Sequence, residues 1–229
     1  MSEEILMEDI LRANEEIAAL NRSLLDGSRT FAVNLMSSPG AGKTSLILET
    51  IKRLGGRVKI GVIEGDVASD LDARKVGECG VPVHQINTKG DCHLDARMLN
   101  AALRTFPLSQ ISLLLIENVG NLICPAEFKL GEHRKVLVSS VPEGDDKPYK
   151  YPLMFSEVDV VVLNKIDLLP YMDFDFERFR RGVEGLNSRA KIFKVSCRTG
   201  EGMEAWIDWI LGELEGFERE LERKSEGGG

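Results

Sequence analysis

Residues 37–45 read SSPGAGKTS and follow an apolar run, FAVNLM, at 31–36. A strand, a glycine-rich turn and a helix make a phosphate cradle. Gly40 and Gly42 let the backbone turn its N–H groups inward, and the helix N-terminus adds a favourable dipole. Gly40, Ala41, Gly42, Lys43, Thr44 and Ser45 are then expected to line the phosphates. Lys43 reaches the β- and γ-phosphates as a catalytic group, and Thr44 lends its hydroxyl to Mg²⁺. Ser37 stands where the usual pattern has its first glycine, a position that shapes the turn without touching the transferred phosphate. A second chemistry lies in KGDCHLDA (89–96), where Cys92 and His93 are adjacent and both can ligate a metal. Without context the pair is a weak signal, because metal sites usually space their ligands as C-x-x-C or H-x-x-x-H. A small buried thiol beside a polar histidine is the competing reading.

Base and magnesium recognition come from strand ends. NKID, Asn164-Lys165-Ile166-Asp167, closes the run VDVVVLN (158–164). The Asp167 carboxylate can accept from both N1–H and the exocyclic amine of guanine, a donor pair that adenine lacks, so the loop selects GTP over ATP. KVSCRTG (194–200) has the form of the loop that backs the base, with Ser196 and Cys197 in contact, which makes Cys197 a base-pocket residue rather than a metal ligand. IEGD ends a strand with Asp66, placed to hold Mg²⁺ directly or through water. IENVG ends another with Glu117 and Gly120, where GTPases generally carry D-x-x-G. Its extra methylene suits Glu117 to water-bridged Mg²⁺ or to orienting the nucleophile, and Asp70 is the other candidate for that task.

These motifs need a scaffold of buried parallel strands. FAVNLM, VKIGVI (58–63), SLLLIE (112–117), KVLVSSV (135–141), VDVVVLN and KIFKVS (191–196) are candidate strands, and PVHQIN (82–87) adds another. Several are apolar on both faces, as strands covered by helices on each side must be. Helical patterns near 44–54, 93–104, 175–188 and 202–223 separate them. The fold class is α/β, a doubly wound, mostly parallel sheet with helices on both faces in the manner of P-loop GTPases. An extra helix spans 3–25, with Leu6, Ile10, Ala13, Ile17, Leu20 and Leu24 on one face, and Asp26-Gly27 stops it. That stripe either packs on the domain or serves as a docking or dimer surface. The organisation expected is an amphipathic helix packed on the domain at 1–28, a GTPase domain at 29–222 and a disordered tail at 223–229.

Composition agrees with a soluble globular chain. Of the 229 residues, 43% are hydrophobic and 29% charged, with a net charge of −8 that argues against nucleic acid as the main partner. No apolar run spans a bilayer and no signal peptide is expected, so the location expected is cytoplasmic, without membrane association. Four scattered cysteines argue against a disulfide framework. His84 and His133 read as ordinary surface or strand histidines, and Cys79 as a helix-packing thiol.

SSPGAGKTSL, IEGDVASDLDA, QINTKGDCHLDARM, IENVGNLICPAEFKLGE, PEGDDKPYKYPLMF and LNKIDLLPYMDFD follow in order. Over about 30–205 the chain thereby closely resembles the HypB family, the nickel-insertion GTPases of [NiFe]-hydrogenase maturation. The resemblance implies slow Mg²⁺-dependent GTP hydrolysis to GDP, a homodimer promoted by GTP or metal, and nickel transfer to a hydrogenase large-subunit precursor. A small zinc-containing partner protein assists. It also assigns Ni²⁺, or Zn²⁺ at the same site, to Cys92, His93 and Cys124, and points to Lys147 in DDKPYK as a guanine-stacking or dimer-crossing contact. Cys92 follows the Asp66–Asp72 region and Cys124 follows Glu117–Gly120, both γ-phosphate sensors, on segments expected to leave neighbouring strands. Two thiolates and one imidazole leave a four-coordinate shell one ligand short, which water or a second protomer could fill.

Residues 1–30 lack Cys and His, so the N-terminal nickel motif of some relatives is not expected, and Ser38 replaces the second lysine found in the phosphate loop of others. Alternatives are a urease-type nickel GTPase, which would carry Cys-Pro-His, and a regulatory GTP-binding scaffold without metal delivery. A chaperone GTPase for a cobalamin enzyme is more distant. A small-molecule kinase would not need NKID.

Overall fold

The computed structural model describes residues 3–66 and 71–226, so the candidate Asp70 lies outside the described residues. The strands are β1 (Phe31–Ser37), β2 (Ile60–Asp66), β3 (Val83–Asn87), β4 (Leu113–Glu117), β5 (Arg134–Ser140), β6 (Val160–Asn164) and β7 (Lys191–Lys194). Among the described residues they form one parallel sheet in the order β3-β2-β4-β1-β5-β6-β7. The helices are α1 (Glu3–Gly27), α2 (Lys43–Leu54), α3 (Leu71–Gly77), α4 (Ala96–Leu103), α5 (Cys124–Glu127), α6 (Lys147–Lys150), α7 (Pro152–Ser156), α8 (Phe176–Leu186) and α9 (Met203–Glu226).

The two-faced apolar strands are explained by their burial. Val33, Leu35, Val136 and Val162 face α2 and α9 through Leu46, Ile47, Trp206 and Ile210. The opposite face divides, with Ala32, Ile63 and Leu114 under α1 and α4, and Leu137, Val161 and Leu163 under α7 and α8. A parallel ladder aligns strand ends, so Leu35 and Glu64 both pair with Glu117 and the carboxyl edge gathers the motif residues.

The N-terminal helix packs differently from its sequence pattern. Asn14, Ala18, Asn21 and Leu25 are buried, each one position beyond Ala13, Ile17, Leu20 and Leu24 of the stripe, a rotation of about 100° about the helix axis. Met7, Ile10, Leu20 and Leu24 remain 47%, 45%, 59% and 41% exposed. Polar pegs decide this orientation. Asn14 Nδ2 donates to the Lys129 carbonyl at 2.7 Å, and Asn21 Nδ2 donates to the carbonyls of Ala96 and Leu130, each at 2.8 Å. Buried donors and acceptors must be matched, whereas a leucine left in water costs only its transfer free energy. Gly131, at φ 96°, lies so close that a Cβ there would stand 2.4 Å from the Ala18 carbonyl oxygen.

Three further expectations change. Helix α9 continues through Arg223 and Lys224 to Glu226, so the tail expected to be disordered from 223 is helical to there, with Lys224 paired to Glu220 one turn back at 2.8 Å. Helix α4 starts at Ala96 rather than 93, because Asp95 caps it by accepting from the Met98 N–H at 2.6 Å. Cys79 is exposed beyond the end of α3 rather than packed.

Candidate nucleotide and metal site

The phosphate loop leaves β1 and enters α2 at Lys43, after Gly42 at φ 105°. A Cβ on Gly42 would lie 2.4 Å from Asn164 Nδ2, so the loop closes on the base-recognition segment only with glycine there. Lys43 is buried, and its ammonium donates to Ser37 Oγ at 2.9 Å. Thr44 Oγ1 donates to Glu117 Oε1 at 2.9 Å, so two of the expected magnesium residues already touch. They line one cleft of 640 Å³ with Gly40, Asp66 and Gly120. Hydroxyl and carboxylate oxygens are the hard donors that Mg²⁺ requires.

The base loop is built around Asn164. Its Nδ2 donates to the Ala41 carbonyl at 3.0 Å, and its Oδ1 accepts from the N–H groups of Lys165 (2.7 Å) and Cys197 (3.2 Å). Lys165, at φ 61°, returns its ammonium to the Gly40 carbonyl at 2.7 Å. Ser196 Oγ donates to Asp167 Oδ1 at 2.6 Å and fixes the carboxylate. Burial pushes the Cys197 thiol up to about 11, which keeps it protonated and inert. Lys147 begins α6 with its ammonium over the Tyr151 ring at 5.2 Å. Sequence reasoning missed Glu143, whose carboxylate accepts from Ser38 Oγ and, at 2.8 Å, from Ser140 Oγ, tying the loop after β5 to the phosphate loop.

The soft-ligand candidates converge. Cys92 Sγ lies 2.9 Å from Cys124 Sγ and 3.7 Å from His93 Nδ1, and the three donor atoms fit within 4.8 Å of one another. Cys92 follows β3 and Cys124 follows β4, with β2 between them rather than the neighbouring strands expected. The loops are long enough to meet over the end of β2. Asn121 steadies the junction, donating to the Cys92 carbonyl at 3.4 Å while accepting from the Ile123 N–H at 2.9 Å. Burial holds the His93 pKa below its usual range against the nearby carboxylates Asp95, Asp91 and Glu127, leaving a neutral imidazole available as a ligand. The hydrogen bond shared with Cys92, and then burial, push the Cys124 thiol up, so metal must displace a proton there.

His133 is not the bland residue its sequence suggests. Its side chain is 7% exposed, accepts from the Ala32 N–H at 2.9 Å and pairs with Asp26 at 2.9 Å. It also stacks on Phe31 and meets the edge of Phe217. Burial first, and then Arg22, pull its pKa down to about 4 against the opposing pull of Asp26.

A phosphate loop on the first strand of a parallel sheet, an NKID base loop and acidic strand ends define a P-loop nucleotide-binding protein of the GTPase class. Residues 31–194 match the family described as "CobW/HypB/UreG, nucleotide-binding domain". The hydrogenase maturation factor HypB of Azotobacter vinelandii is 50% identical over 203 residues, covering 89% of this chain and 67% of that protein. Among solved structures, HypB from Archaeoglobus fulgidus superposes with a TM-score of 0.84 at 44% identity, over 89% of this chain and 99% of that one. HypB from Helicobacter pylori, solved in complex with nickel, gives 0.85 at 33% identity, over 89% and 95%. The chain belongs to the HypB branch of hydrogenase-maturation GTPases.

Proposed function

We propose that this chain is a GTP-hydrolysing metallochaperone that binds nickel, with zinc as an alternative occupant, at Cys92, His93 and Cys124. It delivers nickel to the large-subunit precursor of a [NiFe]-hydrogenase and dimerises when loaded with GTP. The observation that carries this reading is the meeting of three soft ligands on loops whose parent segments also hold Glu117 and flank Asp66. Support comes from the H. pylori relative solved with nickel.

Thr44, Asp66 and Glu117 would hold Mg²⁺, whose charge offsets that of the phosphates. Lys43 and the inward N–H groups of residues 40–45 cradle the β- and γ-phosphates. Asp167, held by Ser196, selects guanine, while Asn164 and Lys165 brace the base loop against the phosphate loop and Cys197 closes the pocket. Glu117 or Asp70 orients the attacking water, and Lys147 reaches the base or the opposite protomer. Two thiolates and one imidazole suit Ni²⁺, and a second protomer supplies the missing ligand, which links metal capture to dimerisation.

The exposed Ile10–Leu24 stripe of α1 is the surface we assign to the small zinc-containing partner, because burying it would remove apolar area that the fold leaves in water. Residues 1–28 thus form an appendage to the nucleotide-binding domain at 29–222. The described cysteines are all free thiols, in keeping with a reducing cytoplasm. Among the described residues no helix is long and apolar enough to cross a membrane.

The test is equilibrium nickel binding with GDP and with a non-hydrolysable GTP analogue, for wild type and Cys92→Ala, with light scattering on the same samples. Tighter binding in one nucleotide state, lost in Cys92→Ala, is expected. A variant that binds as tightly as wild type overturns the site.

A further inference from the structure

Cys92, His93 and Cys124 do not line the phosphate cleft, so any coupling between them passes through residues to which the motifs assign no role. Leu94, next to His93, is fully buried and is gripped by both γ-phosphate strands. Its N–H donates to Asn118 Oδ1 at 3.0 Å, and Asn118 directly follows Glu117. Its side chain seats on Gly65, next to Asp66, so tightly that a Cβ on Gly65 would stand 2.6 Å from Leu94 Cγ. Asn118, 1% exposed, also accepts from the Val119 N–H at 2.9 Å and donates to Asn34 Oδ1 at 3.3 Å. Asn34 in turn donates to Glu132 Oε1 at 3.0 Å, within the loop that anchors α1.

The far end of the metal loop is clamped independently. Asn14 Oδ1 accepts from the Ala96 N–H at 2.8 Å, and Asn21 Nδ2 donates to the Ala96 carbonyl at 2.8 Å. Helix α4 is therefore pinned to α1 at its first residue. A shift of Asn118 that moves Leu94 cannot be passed on into α4, so Cys92 and His93 must absorb it.

We propose that Asn118 is a positioning residue that transmits the γ-phosphate state sensed at Glu117 to the nickel loop, with Leu94 as its lever and the Asn14–Asn21 clamp as the fixed point. This rests on the nickel-binding GTPase reading above. A buried carboxamide suits the task, since it can hold three partners at once and loses all of them if it turns.

The experiment measures nickel affinity with GDP and with a non-hydrolysable GTP analogue, in wild type and Asn118→Ala. Wild type should show a ratio between the two states on the order of tenfold. In Asn118→Ala the ratio should fall towards one, while affinity for the GTP analogue and for nickel with GDP stays within about threefold of wild type. A purely structural role would lower the melting temperature and leave the ratio intact, and that result overturns the proposal. Equal nickel affinities in the wild type would sink the coupled-chaperone reading and this inference with it, whereas a ratio preserved in both proteins sinks this inference alone. If Asn118→Ala does not fold, hydrogen exchange at the Leu94 amide in wild type decides. A rate that differs between nucleotide states is expected, and an unchanged rate refutes it.

Discussion

Asp167→Asn should convert the base pocket from guanine to xanthine recognition. Ser196 Oγ donates to Asp167 Oδ1 at 2.6 Å, so the carboxylate is held in one orientation when the base arrives. Guanine offers it two donors, N1–H and the exocyclic amine. A hydrogen bond to a charged group contributes about 1.5–3 kcal/mol, and a donor left unpaired costs a similar amount. An asparagine keeps one acceptor oxygen and turns an NH₂ towards a donor, so one bond is weakened and the other is replaced by repulsion. The expected loss is about 3–5 kcal/mol, or roughly 10² to 10⁴ in affinity. Xanthine carries a carbonyl in place of the exocyclic amine and restores the match. The assay is titration calorimetry with GDP and XDP on wild type and variant, with circular dichroism to verify folding. A variant that holds GDP within tenfold of wild type, or that gains nothing for XDP, would refute the assignment of Asp167 to the base.

Two further outcomes follow from the packing. The His133 pKa is depressed from 6.5 to about 4, so between those values the unfolded chain binds the proton and the folded chain does not. The contribution of His133 to stability is complete above pH 6.5 and falls with decreasing pH, by about 1.4 kcal/mol per unit and about 3 kcal/mol in all. Denaturant melts of wild type and His133→Gln at pH 7 and pH 5 check this, because the variant should lose less stability over that interval. On α1, Leu20→Glu alters a side chain of a residue that is 59% exposed, so GTP turnover and melting temperature should hold while binding to the small zinc-containing partner drops at least tenfold by calorimetry. Undiminished partner binding would remove the helix stripe from the docking surface.

Legibility in the sequence followed the range over which each feature acts. SSPGAGKTS and NKID are local, because a glycine turn and a short loop after a strand need only their own residues to take shape. The strands were legible because burial on both faces leaves an unbroken apolar run, as in VDVVVLN. The order β3-β2-β4-β1 was not legible, since parallel pairing depends on crossovers that leave no trace in the strands themselves. The Cys92–His93 and Cys124 segments were therefore expected on neighbouring strands, when β2 lies between them.

Helix α1 marks the division most sharply. Its apolar spacing determined that a helix would form. Periodicity also singled out the Ile10–Leu24 face, but which face the domain would bury was decided by partners more than a hundred residues away in the chain. The carbonyls of residues 129 and 130 need donors, Asn14 and Asn21 supply them, and Ile10, Leu20 and Leu24 are turned into water as a result. The same holds for Asn118 and His133, which are ordinary letters in the sequence. The sequence by itself determined the residue types of the phosphate loop, of NKID and of the Cys92, His93 and Cys124 cluster. Only the tertiary structure decided how those sites are joined, because burial and hydrogen-bond satisfaction are properties of the assembled chain.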